Sequence, residues 1–387
     1  MRISLQQNSL TTLARARGIA AMMAVVALAA CDQPTQPSAL QPPAPSSSKV
    51  DGEPATVSVF ASGLNNPRGL RFGPDGYLYV AEGGTGGSNS TIGQCDQVPS
   101  VGPYTGSTTG SRISKISPAG IVSTAVDNLP SSSTNMQTGQ LTSGVADVEF
   151  IGHTLYGLLT GAGCSHGVPS IPNQIFRVNR NGSWRTVADL SAYYKSHPTL
   201  HFEPDDFEPD GTPYSMIGVR GHLYVVEPNH GSLDRVSLNG NIRRVVDISA
   251  TFGHIVPTSV SYHGNFFIGN LGTFPVMPGT EQIIKVTPSG RLRTWATGLT
   301  TVLGSVWDHR DRLYVLESTT VPGAPTPFTG RIRRIDPSGR MTMIADKLFL
   351  PSGMTLGPDG NLYVSNVGFG PLSLVAGQGQ ILKVQIH

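Results

Sequence analysis

"NPRGLRFGPDGYLYVAEGG" occupies residues 66–84, and a close copy, "LPSGMTLGPDGNLYVSNVG", occupies residues 350–368. Each copy has two runs of alternating apolar residues, which is the period of a β-strand with two distinct faces. The "GPDG" between the runs is a tight-turn sequence, in which proline and aspartate start the turn and glycine adopts positive φ. The stretch therefore predicts a β-hairpin that is repeated along the chain.

The "LYV" triplet of this hairpin recurs through the sequence, and each recurrence marks one repeat. The triplets begin at Leu78, Leu155, Leu223, Phe266, Leu313 and Leu362. The last four lie at the spacing of one propeller blade, and insertions lengthen the first two steps. A third strand such as "RISKIS", a short turn and a fourth strand such as "IVSTAV" follow each hairpin. We therefore predict an all-β, six-bladed β-propeller.

The sixth repeat ends at "QILKVQIH" and lacks a fourth strand. "VFASGLNNPRG", from Val59, aligns with "TWATGLTTVLG", from Thr294, which is a fourth strand running into the next repeat. We expect the N-terminal strand of the domain to complete the last blade. Such closure leaves no long sheet edge exposed.

Residues 1–30 are predicted to be a targeting segment. Arg2, Arg15 and Arg17 precede the apolar run "GIAAMMAVVALAA", which is too short to cross a membrane. The run ends in "LAAC", a lipobox-like sequence in which Cys31 becomes the lipidated first residue; the alternative is an ordinary secretory signal with an incidental cysteine. Lipidation predicts an exported lipoprotein that is anchored to a membrane through Cys31, on its periplasmic or extracellular side.

Residues 31–54 contain the lipidated cysteine and a Pro/Ser-rich tether that cannot bury a core, and the propeller is assigned to residues 55–387. The two cysteines left in the domain, Cys95 and Cys164, are expected to form a disulfide in an exported chain, with two free thiols as the alternative. The formal net charge of +2 and the absence of Lys/Arg blocks argue against a nucleic-acid partner.

Strand direction separates the loops of the repeat into two faces. The turns inside each hairpin are short and lie on one face, called here the lower face. The upper face carries the long connections, approximately residues 83–110, 130–143, 160–173, 191–213, 271–281, 318–330 and 367–379. Binding residues concentrate on long loops held by a rigid scaffold, so the upper face is the expected site for a small molecule, a glycan or a protein partner.

The residue two places after each triplet lies at the upper end of its strand, and five of these six residues are Glu or Asn. The five candidate oxygen ligands are Glu82, Glu227, Asn270, Glu317 and Asn366. Together they could bind a hard cation such as Ca²⁺. The alternative is that they cap the strand ends by accepting hydrogen bonds from backbone N–H groups.

The starts of the first strands contribute a second set of candidates near the channel mouth. These residues are Arg68, Asp147, Tyr214, Thr258 and Ser352. With the five preceding residues they form a predicted ligand-binding region at the upper mouth of the channel.

Residues 201–214, "HFEPDDFEPDGTPY", are the densest acidic run. Asp206, Glu208 and Asp210 have the spacing of an EF-hand start, but Ile217 occupies the twelfth position, where that loop needs Glu. A solvated loop over the upper face is the favoured interpretation. Histidines on the same side, including His166, offer general bases that nothing in the sequence singles out.

Four stretches together resemble one family: "NPRGLRFGPDGYLYVAEGG", "EPDGTPYSMIGVRGHLYVVEPNHG", "VPTSVSYHGNFFIGNLGTFPVMPG" and "GLTTVLGSVWDHRDRLYVLES". Their order and wording are similar to those of the ScyD/ScyE family of exported bacterial β-propellers, which have NHL-like repeats, over residues 57–387. The resemblance implies the propeller fold and supplies no catalytic residue. The chain departs from that family's acidic-Gly-x-Asn pattern after the third blade, where it has Glu227, Pro228, Asn229 and His230.

Two classes of function follow. The first is a non-enzymatic binding or scaffolding propeller at the cell envelope, favoured because the chain has no G-x-S-x-G, C-x-x-C or P-loop motif. The second is a Ca²⁺-dependent hydrolase of the lactonase or esterase type, in which the cation would polarise a carbonyl. Catalytic residues are unknown, and calcium is the only cofactor that the candidate residues suggest.

Overall fold

A computed structural model describes residues 55–202, 205 and 207–386 of the chain. The predicted signal segment and tether, residues 1–54, lie outside the described residues. Within the described part, strands alternate with short turns, and the helices are brief: α1 (Leu190–Ser196), α2 (Ser249–Phe252), α3 (Leu372–Val375) and two 3-10 turns (Met136–Thr138 and Cys164–His166). No helix of this part is long and apolar enough to cross a membrane.

The strands form six antiparallel sheets, which are the six predicted blades. The domain begins with β1 (Val57–Leu64), which belongs to the last blade. Blade one contains β2 (Pro67–Phe72), β3 (Leu78–Glu82), β4 (Asn89–Ser90), β5 (Thr105–Ile116), β6 (Val122–Ser133) and β7 (Thr142–Ser143). Blade two contains β8 (Val145–Ile151), β9 (Thr154–Leu159), β10 (Gln174–Val178) and β11 (Trp184–Asp189).

The next three blades have four strands each. Blade three contains β12 (Ser215–Val219), β13 (His222–Glu227), β14 (Ser232–Ser237) and β15 (Ile242–Asp247). Blade four contains β16 (Pro257–Tyr262), β17 (Phe266–Asn270), β18 (Glu281–Val286) and β19 (Leu292–Leu299). Blade five contains β20 (Val302–Trp307), β21 (Leu313–Glu317), β22 (Gly330–Ile335) and β23 (Met341–Leu348).

Blade six closes the ring, as the sequence predicts. It contains β24 (Gly353–Leu356), β25 (Leu362–Asn366) and β26 (Gly379–Val384), and β1 pairs antiparallel with β26. The register begins at Val57 opposite Val384. The first strands of neighbouring blades contact one another in the order β2, β8, β12, β16, β20 and β24, and β24 returns to β2. These six strands therefore surround a central channel.

The core consists of apolar layers between consecutive blades. Leu78 and Val80 of β3 pack toward blade six, whereas Tyr79 and Ala81 of the same strand pack toward blade two. A strand with two buried faces is apolar at nearly every position. Both faces of β3 are covered by neighbouring blades, so all five residues of "LYVAE" are buried.

Blade one departs from the predicted loop boundaries. Its outer strands β5 and β6 have 12 residues each, so parts of residues 83–110 and 130–143 that were predicted to be connections are strand. The segment "TGSTTG" at residues 105–110 has no apolar alternation, because this end of the hairpin extends beyond the layers between the blades. Backbone pairing, such as that of Gly106 with Ser132, holds it instead.

Candidate functional site

The five Glu and Asn residues lie at the upper ends of β3, β13, β17, β21 and β25, where the sequence places them. Four of them accept a backbone N–H from the connection that enters their own blade. Glu82 accepts from Asn65 (2.6 Å), Glu227 from Thr212 (2.8 Å), Glu317 from Thr300 (2.7 Å) and Asn366 from Phe349 (2.9 Å). Asn270 accepts from Gln282 (2.9 Å) and donates to the carbonyl of Ile255 (3.0 Å). The set thus fixes the connections between blades.

The three carboxylates of this set are buried, and each has a cationic or polar partner within its own blade. Glu82 pairs with Arg112 (2.7 Å), and Glu317 pairs with Arg331 and Arg333 (2.7 Å each). Glu227 lies 3.0 Å from His230 Nδ1. Buried charges in proteins are paired in this way because desolvation of a lone charge is costly.

The three carboxylates of this set do not form a group that could hold a metal ion. None of them lines the channel or the cavity above it. Among the described residues, no group of three or more His, Cys, Asp or Glu side chains could hold a metal ion. The contacts favour strand capping, the alternative that the sequence left open beside Ca²⁺ binding.

The second set of candidates does lie around the channel axis. Tyr214, immediately before β12, donates its hydroxyl hydrogen bond to the carbonyl of Ser352 (2.9 Å), which belongs to the opposite blade six. Asp147, Tyr214 and Ser352 line the channel, and Arg68, Tyr214 and Thr258 line the cavity above it. Tyr214 therefore lies at the boundary between the two spaces, as does Leu303, which lines both.

Below this bridge the channel is a cavity of about 240 Å³. Asp147 accepts hydrogen bonds from the backbone N–H groups of Met216 and Val148 (2.8 Å each). Burial raises the pKa of Asp147 to about 7, because these bonds and the charge of Arg71 only partly offset the loss of hydration. Arg71 itself pairs with Glu149 (2.8 Å).

Above the bridge lies a cavity of about 690 Å³ on the long-loop face, and all six blades contribute to it. Its size is in the range of pockets that hold small organic molecules. Most of its wall consists of apolar side chains and small residues. The apolar lining includes Val101, Leu141, Val145, Val256, Leu271, Phe274, Pro275, Leu303, Pro325 and Phe369.

Arg68 enters the lower part of this cavity from β2. Its guanidinium donates to the carbonyl of Thr142 (2.5 Å) and lies 5.5 Å from the centre of the Phe369 ring. Burial raises the pKa of Tyr214, although the positive charge of the adjacent Arg68 opposes the shift. The Tyr214 hydroxyl therefore keeps its proton at neutral pH.

Glu208 and Tyr104 form a polar part of the cavity wall that the sequence did not identify as a site. The Tyr104 hydroxyl donates to Glu208 (2.8 Å), and the buried His166 Nε2 lies 2.8 Å from the other Glu208 oxygen. Burial by itself would lower the pKa of His166, but the facing Glu208 carboxylate outweighs it and raises the pKa. The Glu208 carboxylate therefore favours the protonated form of His166.

The acidic run is solvated only in its first half: His201 and Asp205 are exposed, whereas Glu208 and Asp210 are buried. Asp210 accepts the backbone N–H and the hydroxyl of Ser165 (2.8 and 2.6 Å) and the ammonium of Lys195 (2.7 Å). The EF-hand interpretation also involved Asp206, which lies outside the described residues. The carboxylate contacts instead fasten the loop onto blade two.

The structure contains the predicted disulfide between Cys95 and Cys164. Cys164 begins the 3-10 turn that ends at His166, so the disulfide secures the segment that carries the partner of Glu208. In the sequence, His166 lies two residues after Cys164 of the predicted disulfide. This proximity could have identified the wall as a candidate site.

Comparisons with known proteins find solved structures of the same fold. A gluconolactonase from Xanthomonas campestris superposes with a TM-score of 0.52 at 11% identity, covering 86% of this chain and 90% of that one. A protein of unknown function from Bacteroides thetaiotaomicron gives 0.55 at 10% identity, with coverages of 86% and 76%. A glucose dehydrogenase gives 0.53 at 13% identity, with coverages of 86% and 100%.

No protein-family model matches the sequence, and the search of curated proteins found no relative. At these identities the structural likeness shows the six-bladed fold alone, because one propeller scaffold hosts many unrelated activities. The residues that line the cavity of this chain therefore have to indicate what it binds.

Proposed function

We propose that this chain is an exported, lipid-anchored propeller of the ScyD/ScyE type that binds a small molecule in the cavity on its long-loop face. The observation that carries the proposal is the cavity of about 690 Å³, which is lined mainly by apolar side chains and has Tyr214 at its boundary with the channel. A rigid concave site with a few polar groups is the usual form of a small-molecule site.

The ion-pair partners of the buried carboxylates favour small-molecule binding over metal-dependent hydrolysis as the function. Glu82, Glu227 and Glu317 are each paired and hydrogen-bonded within their own blades. A cation would have to displace Arg112, His230 and Arg331 before these oxygens became ligands. Lewis-acid catalysis of the lactonase type needs carboxylates that converge on a free position.

The anchor is proposed from the sequence, since residues 1–54 lie outside the described part of the structure. Cys31 would carry the lipid, and residues 32–54 would extend the propeller away from the membrane. In a bacterial host, wild-type protein should incorporate a palmitate analogue and sediment with membranes. Cys31→Ser should lose both properties; label incorporation by Cys31→Ser would overturn this part of the proposal.

The cavity is tested with N-phenyl-1-naphthylamine, an uncharged apolar dye whose emission rises in a dry site. We expect one dye molecule to bind per chain and Ala324→Trp, at the cavity rim, to reduce the affinity several-fold. Ile121→Trp, in a lower turn on the other face, is the matched control and should bind as the wild type does. Dye binding that is absent, or that is equal in both variants, would refute the proposed site.

A further inference from the structure

Arg68 is the only buried arginine among the described residues, and it has no carboxylate partner. It is 8% exposed, and within the described residues no Asp or Glu oxygen forms an ion pair with it. By contrast, Arg71, Arg312 and Arg333 pair with Glu149, Asp308 and Glu317. The partners of Arg68 are neutral: the Thr142 carbonyl, the Phe369 ring and the neighbouring Tyr214.

A guanidinium has five N–H donors, and neutral contacts compensate a buried positive charge only in part. Arg68 lines the cavity, so a molecule bound there reaches it directly. Its planar fork matches the two oxygens of a carboxylate, and the resulting hydrogen bonds are charge-assisted. The Arg68 guanidinium could therefore pair with an anionic group of a bound molecule.

The remaining charges around the cavity do not oppose an anion. The titratable side chains among its described lining residues are Arg68, Tyr104, Glu208 and Tyr214. Glu208 faces His166, and Tyr214 is a neutral hydroxyl beside Arg68. Arg68 is therefore the one arginine or lysine among the described lining residues, and no carboxylate pairs with it.

The rest of the cavity lining is mainly apolar. It includes Phe274, which is 48% exposed, together with Leu271 and Pro325. A cation in a mainly apolar cavity specifies a molecule with one anionic group and an apolar body.

We infer that the cavity binds an apolar small molecule that carries one carboxylate, with the carboxylate on Arg68 and the apolar body against the wall around Phe274. The inference rests on the proposed function and specifies the chemical class of the ligand. Tyr214 lines the cavity beside Arg68, at its boundary with the channel.

The test compares three ten-carbon probes by displacement of N-phenyl-1-naphthylamine: decanoate, decanol and decyltrimethylammonium. For the wild type we expect decanoate to bind about tenfold more tightly than decanol, or better, since the additional contact is a charge-assisted pair. Arg68→Gln should remove this advantage while decanol and the dye still bind. Arg71→Gln, which changes an arginine of the channel below Tyr214, should keep the advantage.

The other outcomes separate the inference from the proposed function. Equal affinities for decanoate and decanol in the wild type would overturn the carboxylate inference and leave a small-molecule site. A preference for decyltrimethylammonium would overturn it in favour of Glu208 as the recognition group. Failure of the dye itself to bind would refute both. If Arg68→Gln does not fold, Arg68→Lys, which retains the charge without the fork, should keep only part of the advantage.

Discussion

The hydroxyl of Tyr214 in blade three donates a hydrogen bond to the carbonyl of Ser352 in blade six, 2.9 Å away and on the opposite side of the ring. The bridge lies where a channel of about 240 Å³ meets an upper cavity of about 690 Å³, and Tyr214 lines both. Arg68 lines the upper cavity beside Tyr214. A bridge between opposite blades also couples them mechanically, which leads to the first prediction.

Tyr214→Phe should lower the free energy of unfolding by about 1–2 kcal/mol, because the Ser352 carbonyl loses its donor in a partly buried place. The change is measured by urea denaturation. Tyr262→Phe is the matched control, since Tyr262 packs on Phe266 and the structure shows no hydrogen bond from its hydroxyl. Equal effects of the two substitutions would contradict a bridging role for Tyr214.

Glu317→Gln should destabilise the protein by roughly 3 kcal/mol, because Arg331 and Arg333 would lose their shared buried carboxylate. Asp127→Asn, at an exposed position, should have little effect. Thermal denaturation of the wild type should give the same Tm with millimolar Ca²⁺ and with EDTA. A Ca²⁺-dependent rise in Tm that disappears in Glu317→Gln would instead favour the metal-dependent hydrolase.

The buried Asp147 should make the protein less stable as the pH rises from about 4 to about 7. Its pKa is raised by burial from 3.8 to about 7, so the folded state binds a proton more tightly than the unfolded state. The stabilisation is complete below the unfolded pKa and is lost as the pH passes the folded pKa. The Tm of Asp147→Asn should rise relative to that of the wild type as the pH increases across this interval. A difference in Tm that does not change with pH would contradict the prediction.

The turn residue Asp359 should have the opposite effect on the pH dependence: it should make the protein more stable as the pH rises from about 2 to about 4. Partial burial would raise its pKa, but hydrogen bonds from Lys383 and Asn361 outweigh this and lower the pKa to about 2. Its contribution is present above the unfolded pKa and is lost as the pH falls from about 4 to about 2. Asp359→Asn should be less stable than the wild type near neutral pH and converge with it in acid. The loss should be small, since the pair is about one-third exposed.

Removal of the disulfide should lower the free energy of unfolding, and it should also loosen the cavity wall. The bridge spans 69 residues, for which the chain-entropy model gives about 4 kcal/mol. A Cys95→Ser, Cys164→Ser double variant should denature at lower urea than the oxidised wild type, and it should bind N-phenyl-1-naphthylamine more weakly because His166 follows Cys164 closely. Reduced wild type should behave like the variant. Unchanged urea midpoints would show that the cross-link does not constrain the fold.

The sequence alone determined the architecture. Strand period, turn residues and the "LYV" spacing are local properties, so they predicted six blades, and the match of Val59 with Thr294 predicted the closing strand. "GPDG" was also read correctly as a turn: Gly76 donates to Gly73 (3.0 Å) and has a φ of 78°. The polar end of the β5–β6 hairpin escaped prediction, because backbone pairing leaves no apolar pattern in the sequence.

Only the tertiary structure decided what the polar residues at the upper face do. Glu82 and Arg68 lie at the two rims of the same hairpin, yet Glu82 is paired with Arg112 whereas Arg68 has no carboxylate partner among the described residues. Spacing places a residue at the end of a strand, but it does not specify which charged side chains lie within 4 Å of it. Tyr214 and Ser352 are 138 residues apart in the chain, and closure of the ring is what brings them together over the channel.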